Sequence, residues 1–336
     1  MWKKINIISL FSWAWGLDLW FHNAGFSTVW ANEYDSSIWE TFEHNFKWIK
    51  LDRRSIVDVS SDEIPEALWI IWWPPCQSWS LAWSWKWIND KRWKLFHEYI
   101  RVLKDKKPLF FLAENVPWIL VKKHSKAFNE ILESFSSLWY KVTYFLLNAN
   151  DYWVPQDRKR VIIVWYKDII WKEFNPTGVE NYKPVLKDAI WDLPAPIIAK
   201  EKNYTNYESD LEVFNHEYMH GSFSSMYMSR NRVRSWEEPS FTIQAWWRHA
   251  PIHPQAPKMK LIEKDKRIFI PWKEDKYRRL SVRECARIQT FPDDFKFIYH
   301  RISDGYKMIW NAVPSKFAES LAKVIYRDIS DYLNKK

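Results

Sequence analysis

Short apolar runs alternate with helical patterns along the first half of the chain, and this alternation restricts the fold more than any other feature. The predicted strands cover residues 5–11, 27–32, 68–72, 108–115, 142–148 and 160–166, and they are rich in β-branched and aromatic residues. Predicted helices run from an Asp35 cap to about Phe46, near 93–105 and near 124–138. This order predicts an α/β fold with a doubly wound, mostly parallel sheet. Ligands of such sheets bind at the carboxyl ends of the strands.

The pattern changes near residue 167, where prolines become frequent and periodicity fades. We therefore predict three parts: a first unit over 1–166, a smaller irregular unit over 167–276, and a return to the first unit over 277–336. A helix is predicted in 280–291 and another in 314–333. The last helix is amphipathic, with one apolar face formed by Phe317, Leu321, Val324, Ile325 and Tyr332.

Charge and cysteine content limit the function classes. The chain has 50 Lys and Arg against 41 Asp and Glu, a formal net charge of +9, which fits a nucleic-acid partner but also an ordinary protein. Cys76 and Cys285 alone cannot build a disulfide framework or a metal cluster, so we predict no metal site and a reducing cytoplasm. Asp18 interrupts the apolar N-terminal stretch, which we interpret as a buried strand rather than a leader or membrane span.

Three fragments near predicted strand ends contain reactive or charged side chains. In PPCQS, two prolines place Cys76 on a stiff turn, where it is either a nucleophile or a buried structural cysteine. In ENV, Glu114 faces the same crevice or serves as a cap or surface charge. In QDRKR, Arg158 and Arg160 share one face of a strand, unless they form a solvated basic edge. Cys285 lies in a helical pattern and is predicted to pack.

The fragments PPCQS, ENV, QDRKR, RECARIQTFPDDF and NAVP occur in an order and spacing that resemble the cytosine-5 DNA methyltransferases over nearly the whole chain. The stretches MSRNRVR, HPQAP and YRRLSVRECARIQ resemble the bacterial restriction-modification enzymes that methylate within GGCC. This resemblance implies the S-adenosylmethionine-dependent methyltransferase fold and methyl transfer to carbon 5 of a cytosine flipped out of double-stranded DNA. It also implies a monomer that shares its target site with a cognate restriction endonuclease.

The resemblance also implies roles for individual residues. Cys76 matches the nucleophile, Glu114 the carboxyl group that hydrogen-bonds the base, and Arg160, supported by Arg158, the contact to the base oxygen. The implied S-adenosylmethionine site contains Phe11, Gly16, Leu17, Glu33, Tyr34, Ile56, Pro74, Asn311 and Val313. The implied DNA contacts are Gln77, Ser80, Arg230, Asn231, Arg232, Arg234 and Arg248, of which the first two belong to a mobile loop over about 77–95. The irregular unit over 167–276 becomes the target-recognition domain.

Glycine content departs from the family pattern. The chain has 26 Trp and only 5 Gly, whereas a chain of this length usually carries roughly two dozen glycines. The tryptophans that stand at family glycine positions include Trp13, Trp15, Trp20, Trp72, Trp73, Trp118, Trp165 and Trp310. We interpret the chain as a methyltransferase with glycines exchanged for tryptophan, and we expect lower stability and weaker cofactor binding. A bulky residue in a left-handed conformation costs about 1–2 kcal/mol.

Two other functions stay open from the sequence. A tRNA cytosine-5 methyltransferase shares the same motifs, and a DNA-binding protein could keep the recognition unit while the cofactor pocket is lost. The Arg-rich second unit and the MSRNRVR stretch favour duplex DNA over tRNA.

Overall fold

A computed structural model describes residues 5–12, 16–67, 69–72, 91–178, 182–244 and 249–335. The strands of its main sheet are β1 Ile5–Leu10, β2 Phe26–Asn32, β3 Lys50–Asp52, β4 Trp69–Trp72, β5 Phe110–Asn115, β6 Tyr140–Asn148 and β7 Lys159–Lys167. Their order is β3-β2-β1-β4-β5-β7-β6. Strands β1 to β5 pair in parallel, and β7 is antiparallel to β5 and β6. The predicted doubly wound, mostly parallel sheet is confirmed.

The helices are α1 Gly16–Asn23, α2 Ser36–Asn45, α3 Lys91–Lys106, α4 Ser125–Ser136, α5 Leu186–Ile190, α6 Ser225–Met228, α7 Val282–Ile288, α8 Ile302–Asn311 and α9 Ser315–Leu333. As predicted, Asp35 caps α2, because its carboxylate accepts a hydrogen bond from the Ser37 backbone N–H at 3.0 Å. The predicted apolar face of α9 is buried, from Phe317 to Ile325. Within the described residues, no helix is long and apolar enough to cross a membrane.

Alternate residues of the central strands pack into two apolar clusters on opposite faces of the sheet. One cluster joins Phe110 and Leu112 of β5 to α1 and α9. The other joins Phe111 and Ala113 to α3 and α4. Each β5 side chain therefore enters a different layer from its neighbour, which is the consequence of the two-residue repeat of a strand. The helices on both faces of the sheet therefore bury the central strands and fix the positions of the strand ends.

The residues between β7 and α7 form smaller elements. Strands β8 Ile197–Ile198 and β9 Glu217–Tyr218 pair in parallel, and β10 Lys260–Glu263 and β11 Lys266–Ile268 form an antiparallel hairpin. One local cluster contains Tyr227, Val233, Ile252, Ala256, Met259 and Tyr277. A larger cluster joins α5 to α7 and α8, and Cys285 is fully buried within it, as predicted for a packing residue.

Among the tryptophans that the structure describes, four have a left-handed backbone: Trp139 (φ 65°), Trp153 (φ 61°), Trp171 (φ 55°) and Trp272 (φ 68°). Glycine adopts this conformation without a steric penalty, whereas a residue with a Cβ atom does not. These positions therefore favour glycine, which supports the interpretation of exchanged glycines. The sequence pattern did not indicate these four positions. Trp165 differs from them, because it is buried in β7 and stacks on Phe111 with ring centroids 4.4 Å apart.

Replacing Trp171 or Trp272 with glycine is expected to raise the free energy of unfolding by about 1 kcal/mol each. Their side chains are 92% and 95% exposed, so removal of the indole relieves backbone strain and leaves no cavity. Urea denaturation measures the change. Trp191→Gly is the matched control, because Trp191 is 61% exposed with φ −63° and packs edge-on against Trp236. If Trp191→Gly stabilises the protein as much as the other two do, backbone strain is not the cause.

Candidate active site at the carboxyl ends of the strands

The parallel strands end next to one another at one edge of the sheet. In the ladder, Leu10 of β1 pairs with Asn32 of β2 and with Trp72 of β4. Trp72 in turn pairs with Ala113 of β5. The residues that follow these positions therefore leave the sheet at the same edge. Strand β7 begins at this edge, because it runs antiparallel to β5.

A buried carboxylate and two buried guanidinium groups meet where β5 ends and β7 begins. Glu114 Oε1 lies 2.5 Å from Arg160 Nε, and both side chains are buried. Arg158 is buried as well, and its Nη2 donates to the backbone oxygens of Trp310 at 3.1 Å and Ala312 at 3.2 Å. Among the described residues, Nε and Nη1 of Arg158 have no hydrogen-bond partner. The structure thus brings together Glu114, Arg158 and Arg160, as the sequence predicted.

This cluster carries two positive charges against one negative charge away from water. Burial raises the pKa of the Glu114 carboxyl, and the neighbouring Arg160 and Arg158 oppose the shift. Burial and the like charge of Arg160 lower the pKa of Arg158. A buried cation without a full set of partners is costly. The site therefore favours a ligand that brings an acceptor oxygen to the guanidinium groups and a polar edge to the carboxyl.

Trp310, near the end of α8, covers the two guanidinium groups. Its ring centroid lies 5.1 Å from Arg158 Cζ and 5.4 Å from Arg160 Cζ, a cation–π geometry. Asn311 follows it and is partly buried, and Val313 packs in the core beside α9. The sequence marked Trp310 as a family glycine position but did not predict this contact. No local pattern indicates it, since 150 positions separate Trp310 from Arg160.

The ends of β1 and β2 place the residues of the predicted cofactor site side by side. The Ser12 backbone N–H donates to Asn32 O at 3.3 Å, so Phe11 lies beside Glu33. Phe11 has φ 53° and is half-buried. The Glu33 side chain is buried, and its Oε1 accepts from the Asp35 N–H at 2.7 Å. Tyr34, which stands between Glu33 and Asp35 in the sequence, is exposed.

The remaining predicted cofactor residues are distributed around this edge. Ile56 is buried in the cluster that contains Leu10 and Ile70. Gly16 and Leu17 begin α1, directly after residues 13–15, which are outside the described chain. Predicted site residues that also lie outside the described chain are Pro74, Cys76, Gln77, Ser80 and Arg248. Strand β4 ends at Trp72, four residues before Cys76 in the sequence.

The predicted base-reading residues differ in how they are held. Arg230 is exposed. Asn231 uses both ends of its side-chain amide. Its Nδ2 donates to Val233 O at 2.7 Å, and its Oδ1 accepts from the Met259 N–H at 3.0 Å. Arg232 Nε donates to Tyr227 O at 3.0 Å. The guanidinium of Arg234 binds Asp157 and Glu238, each at 3.1 Å, so it joins the second unit to the segment before β7.

Comparison with known proteins identifies the chain. The family model for C-5 cytosine-specific DNA methylase matches residues 5–327. The chain belongs to this family. Type II methyltransferase M.MthTI of Methanothermobacter thermautotrophicus is 54% identical over 98% of this chain and 100% of its own length. Type II methyltransferase M.FnuDI of Fusobacterium nucleatum is 50% identical over 97% of this chain and 96% of its own.

The fold is shared with solved structures at much lower identity. The methyltransferase EhMeth of Entamoeba histolytica has a TM-score of 0.71 and 17% identity, with 97% of this chain and 99% of the other covered. The predicted methyltransferase fold is thereby confirmed. The protein is a DNA cytosine-5 methyltransferase of the restriction-modification type, and DNA is its substrate. Within the described residues, no group of His, Cys, Asp and Glu side chains could hold a metal ion.

Proposed function

We propose that this methyltransferase transfers the methyl group of S-adenosylmethionine to carbon 5 of a flipped-out cytosine within GGCC, through a covalent adduct with Cys76. The observation that carries the proposal is the buried pair of Glu114 and Arg160, with Arg158 beside it, where β5 ends and β7 begins. A cytosine presents a ring nitrogen, an exocyclic amine and a carbonyl oxygen along one edge, which suits a carboxyl group next to a guanidinium. A base stacked in a duplex cannot reach buried groups, so it must leave the helix first.

The chemistry follows from the poor nucleophilicity of the cytosine ring. The Cys76 thiolate adds to carbon 6, and the electron pair of the ring double bond moves toward carbon 5. The Glu114 carboxyl donates a hydrogen bond to the ring nitrogen, and Arg160 donates to the carbonyl oxygen, so the adduct is stabilised. Bound S-adenosylmethionine would supply the methyl group to carbon 5 as its sulfur–methyl bond breaks, with S-adenosylhomocysteine as the leaving product. Loss of the carbon 5 proton then allows the carbon–sulfur bond to break, which restores the ring and the thiolate.

Electrostatics of the described residues support these roles. Burial raises the pKa of the Glu114 carboxyl, so this group, ionised in its pair with Arg160, takes up a proton more readily than an exposed glutamate and is suited to donate to the ring nitrogen of a bound base. The two buried guanidinium groups favour negative charge nearby, whether on the base oxygen or on a thiolate. Arg158 lies beside Arg160 and is itself held by the backbone oxygens of Trp310 and Ala312 at the end of α8.

The residues at the ends of β1 and β2 fit S-adenosylmethionine. A buried carboxylate after a strand, here Glu33, suits the two ribose hydroxyls. Phe11 and the exposed ring of Tyr34 would contact the adenine, and the buried Ile56 would support this contact from the core. The other proposed contacts are Gly16 and Leu17 at the start of α1, Pro74 after β4, and Asn311 and Val313 after α8.

Target recognition is assigned to the irregular unit over 167–276, within a catalytic domain formed by 1–166 and 277–336. Exposed Arg230, together with Arg248, is proposed to read guanine edges, since arginine forms paired hydrogen bonds with guanine. Gln77 and Ser80 are proposed to contact the DNA from the loop after Cys76. Asn231, Arg232 and Arg234 are held by protein groups and are proposed to shape this surface as well as contact DNA. We further propose a cytoplasmic monomer that protects DNA from a cognate endonuclease.

The tryptophan exchanges are proposed to weaken the enzyme without changing its chemistry. Four left-handed tryptophans support lower stability, and the Trp310 ring over Arg158 and Arg160 supports a partly obstructed site. In the extreme, the chain would bind DNA without methylating it, which is the second candidate function. The tRNA alternative gains no support from the solved structures, since a neighbour such as the DNMT2 of Spodoptera frugiperda is 16% identical and shows the fold alone.

A methylation-protection digest tests the proposal. DNA that contains GGCC sites is incubated with the protein and S-adenosylmethionine, then cut with an endonuclease that cleaves only unmethylated GGCC. We expect resistant DNA at GGCC and normal cleavage at other sites. Tritiated methyl transfer to duplex DNA and to tRNA in parallel separates the alternatives, and a duplex already methylated at its target cytosines is the control. Methyl transfer to tRNA without transfer to duplex DNA would contradict the proposal. A protein that retards the GGCC duplex in a gel but does not protect it from cleavage would favour the DNA-binding alternative.

A further inference from the structure

An ion pair joins the segment beside Glu33 to helix α8, across 272 positions of the sequence. Lys307 Nζ lies 2.5 Å from Asp35 Oδ2 and 3.4 Å from Ser37 Oγ. Both side chains of the pair are partly buried. Burial would raise the pKa of Asp35, but hydrogen bonds from Lys307 and Ser37 outweigh it, so the pKa is lowered and the carboxylate stays charged. The contact is therefore a charged one at neutral pH.

Asp35 in turn fixes the backbone on which Glu33 depends. Its N–H donates to Glu33 Oε1 at 2.7 Å, and its carboxylate caps α2 through the Ser37 N–H at 3.0 Å and Ser37 Oγ at 2.6 Å. A shift of residue 35 would therefore move the Glu33 carboxylate and the exposed Tyr34 with it. Residues 33–37, here called the cofactor lip, are held at one end by the strand β2 and at the other by α2 and Lys307.

The last turn of α8 contacts the cluster of Glu114, Arg158 and Arg160. Trp310 lies one helical turn after Lys307, and its backbone oxygen accepts from Arg158 while its ring covers Arg158 and Arg160. Helix α8 thus contacts the cofactor lip through Lys307 and the buried arginines through Trp310. Asp304, one turn before Lys307, is close enough for the Lys307 charge to oppose the rise that burial causes in the pKa of Asp304. A single short helix therefore determines the distance between the two halves of the site.

We infer that Lys307 is a positioning residue for methyl transfer: its ammonium group holds the cofactor lip at the distance from α8 that S-adenosylmethionine requires. This inference rests on the proposed cofactor site at Glu33. A partly exposed ion pair contributes little to stability, so loss of Lys307 acts on ligand binding rather than on unfolding. Lys307 does not touch the reacting atoms, and the kcat of a saturated enzyme is expected to stay near its original value.

Two measurements on the full chain test the inference. The first is hydrogen exchange by mass spectrometry in the ligand-free protein, and the second is calorimetric binding of S-adenosylhomocysteine. In Lys307→Met, exchange at residues 33–37 is expected to accelerate, and ligand affinity to fall about fivefold. Lys307→Arg is expected to restore both. Lys323→Met is the control, because the exposed Lys323 pairs, within the described part of the chain, with a single carboxylate, that of Glu319 one turn earlier on α9.

The outcomes separate the inference from the proposed function. Unchanged exchange at residues 33–37 overturns the role of Lys307 whether or not the ligand binds. Faster exchange with unchanged affinity also overturns it, since the lip would then not matter to the cofactor. If the original chain binds no S-adenosylhomocysteine, the proposed cofactor site fails, while faster exchange confined to 33–37 still supports Lys307 as the residue that holds this segment.

Discussion

Replacing Cys76 with serine is expected to abolish methyl transfer and to leave DNA binding intact. A serine hydroxyl stays protonated at neutral pH and is a far weaker nucleophile than a thiolate, so the covalent adduct does not form. We expect the rate of tritiated methyl transfer to a GGCC duplex to fall by at least about 10³-fold. The dissociation constant for the same duplex, measured by gel shift, is expected to change by less than about threefold.

A chemical trap makes the Cys76 experiment specific. In a duplex with 5-fluorocytosine at the target position, carbon 5 carries fluorine in place of the proton that must leave, so the adduct persists and survives denaturing electrophoresis. The original chain should form this adduct and Cys76→Ser should not. Cys285→Ala is the matched control, because Cys285 is the other thiol and is buried in the core, where burial raises its pKa. Methylation by Cys76→Ser would overturn the assignment of the nucleophile.

Most of the sheet could be predicted, because buried strands impose an apolar pattern on the sequence itself. Strand β3, Lys50–Asp52, was missed since it has three residues and no apolar alternation. Helix α8, Ile302–Asn311, was also missed, because Gly305 in its interior weakens the helical signal. The fold tolerates this glycine because Tyr299 packs against it, so close that a Cβ atom would lie 2.6 Å from the Tyr299 ring.

Only the parts of the candidate site that lie at the ends of strands could be predicted from the sequence. Glu114 and Arg160 meet because β5 and β7 are neighbours, and the sequence indicated this meeting only through the resemblance of ENV and QDRKR to the family motifs. The contacts of Arg158 with the carbonyls of Trp310 and Ala312 could not be predicted, since they depend on how α8 packs against the sheet. The ion pair between Lys307 and Asp35 could not be predicted for the same reason. Contacts between elements far apart in sequence leave no periodic pattern along the chain.

Glu114→Gln is expected to impair both stability and catalysis, for separable reasons. Glutamine keeps the size of the side chain but removes the charge that balances Arg160 and Arg158. Loss of one partner of a buried ion pair typically costs about 3–5 kcal/mol, because the remaining charge stays out of water. Methyl transfer is expected to fall by about 10²–10³-fold, since the amide cannot supply the acidic proton to the ring nitrogen. Urea denaturation and kcat at saturating ligand measure the two effects.

The pH profile distinguishes the catalytic effect of Glu114 from the structural one. Burial raises the pKa of its carboxyl, so the proton-donating form persists to higher pH than for an exposed glutamate. Methyl transfer by the original chain should therefore be retained below this raised pKa and should decline as the pH rises through it, whereas the residual activity of Glu114→Gln should lack this decline. Glu133→Gln, on the exposed face of α4, is the neutral control. An identical pH profile for Glu114→Gln and the original chain would show that Glu114 only balances charge, and the ring nitrogen would then need another donor.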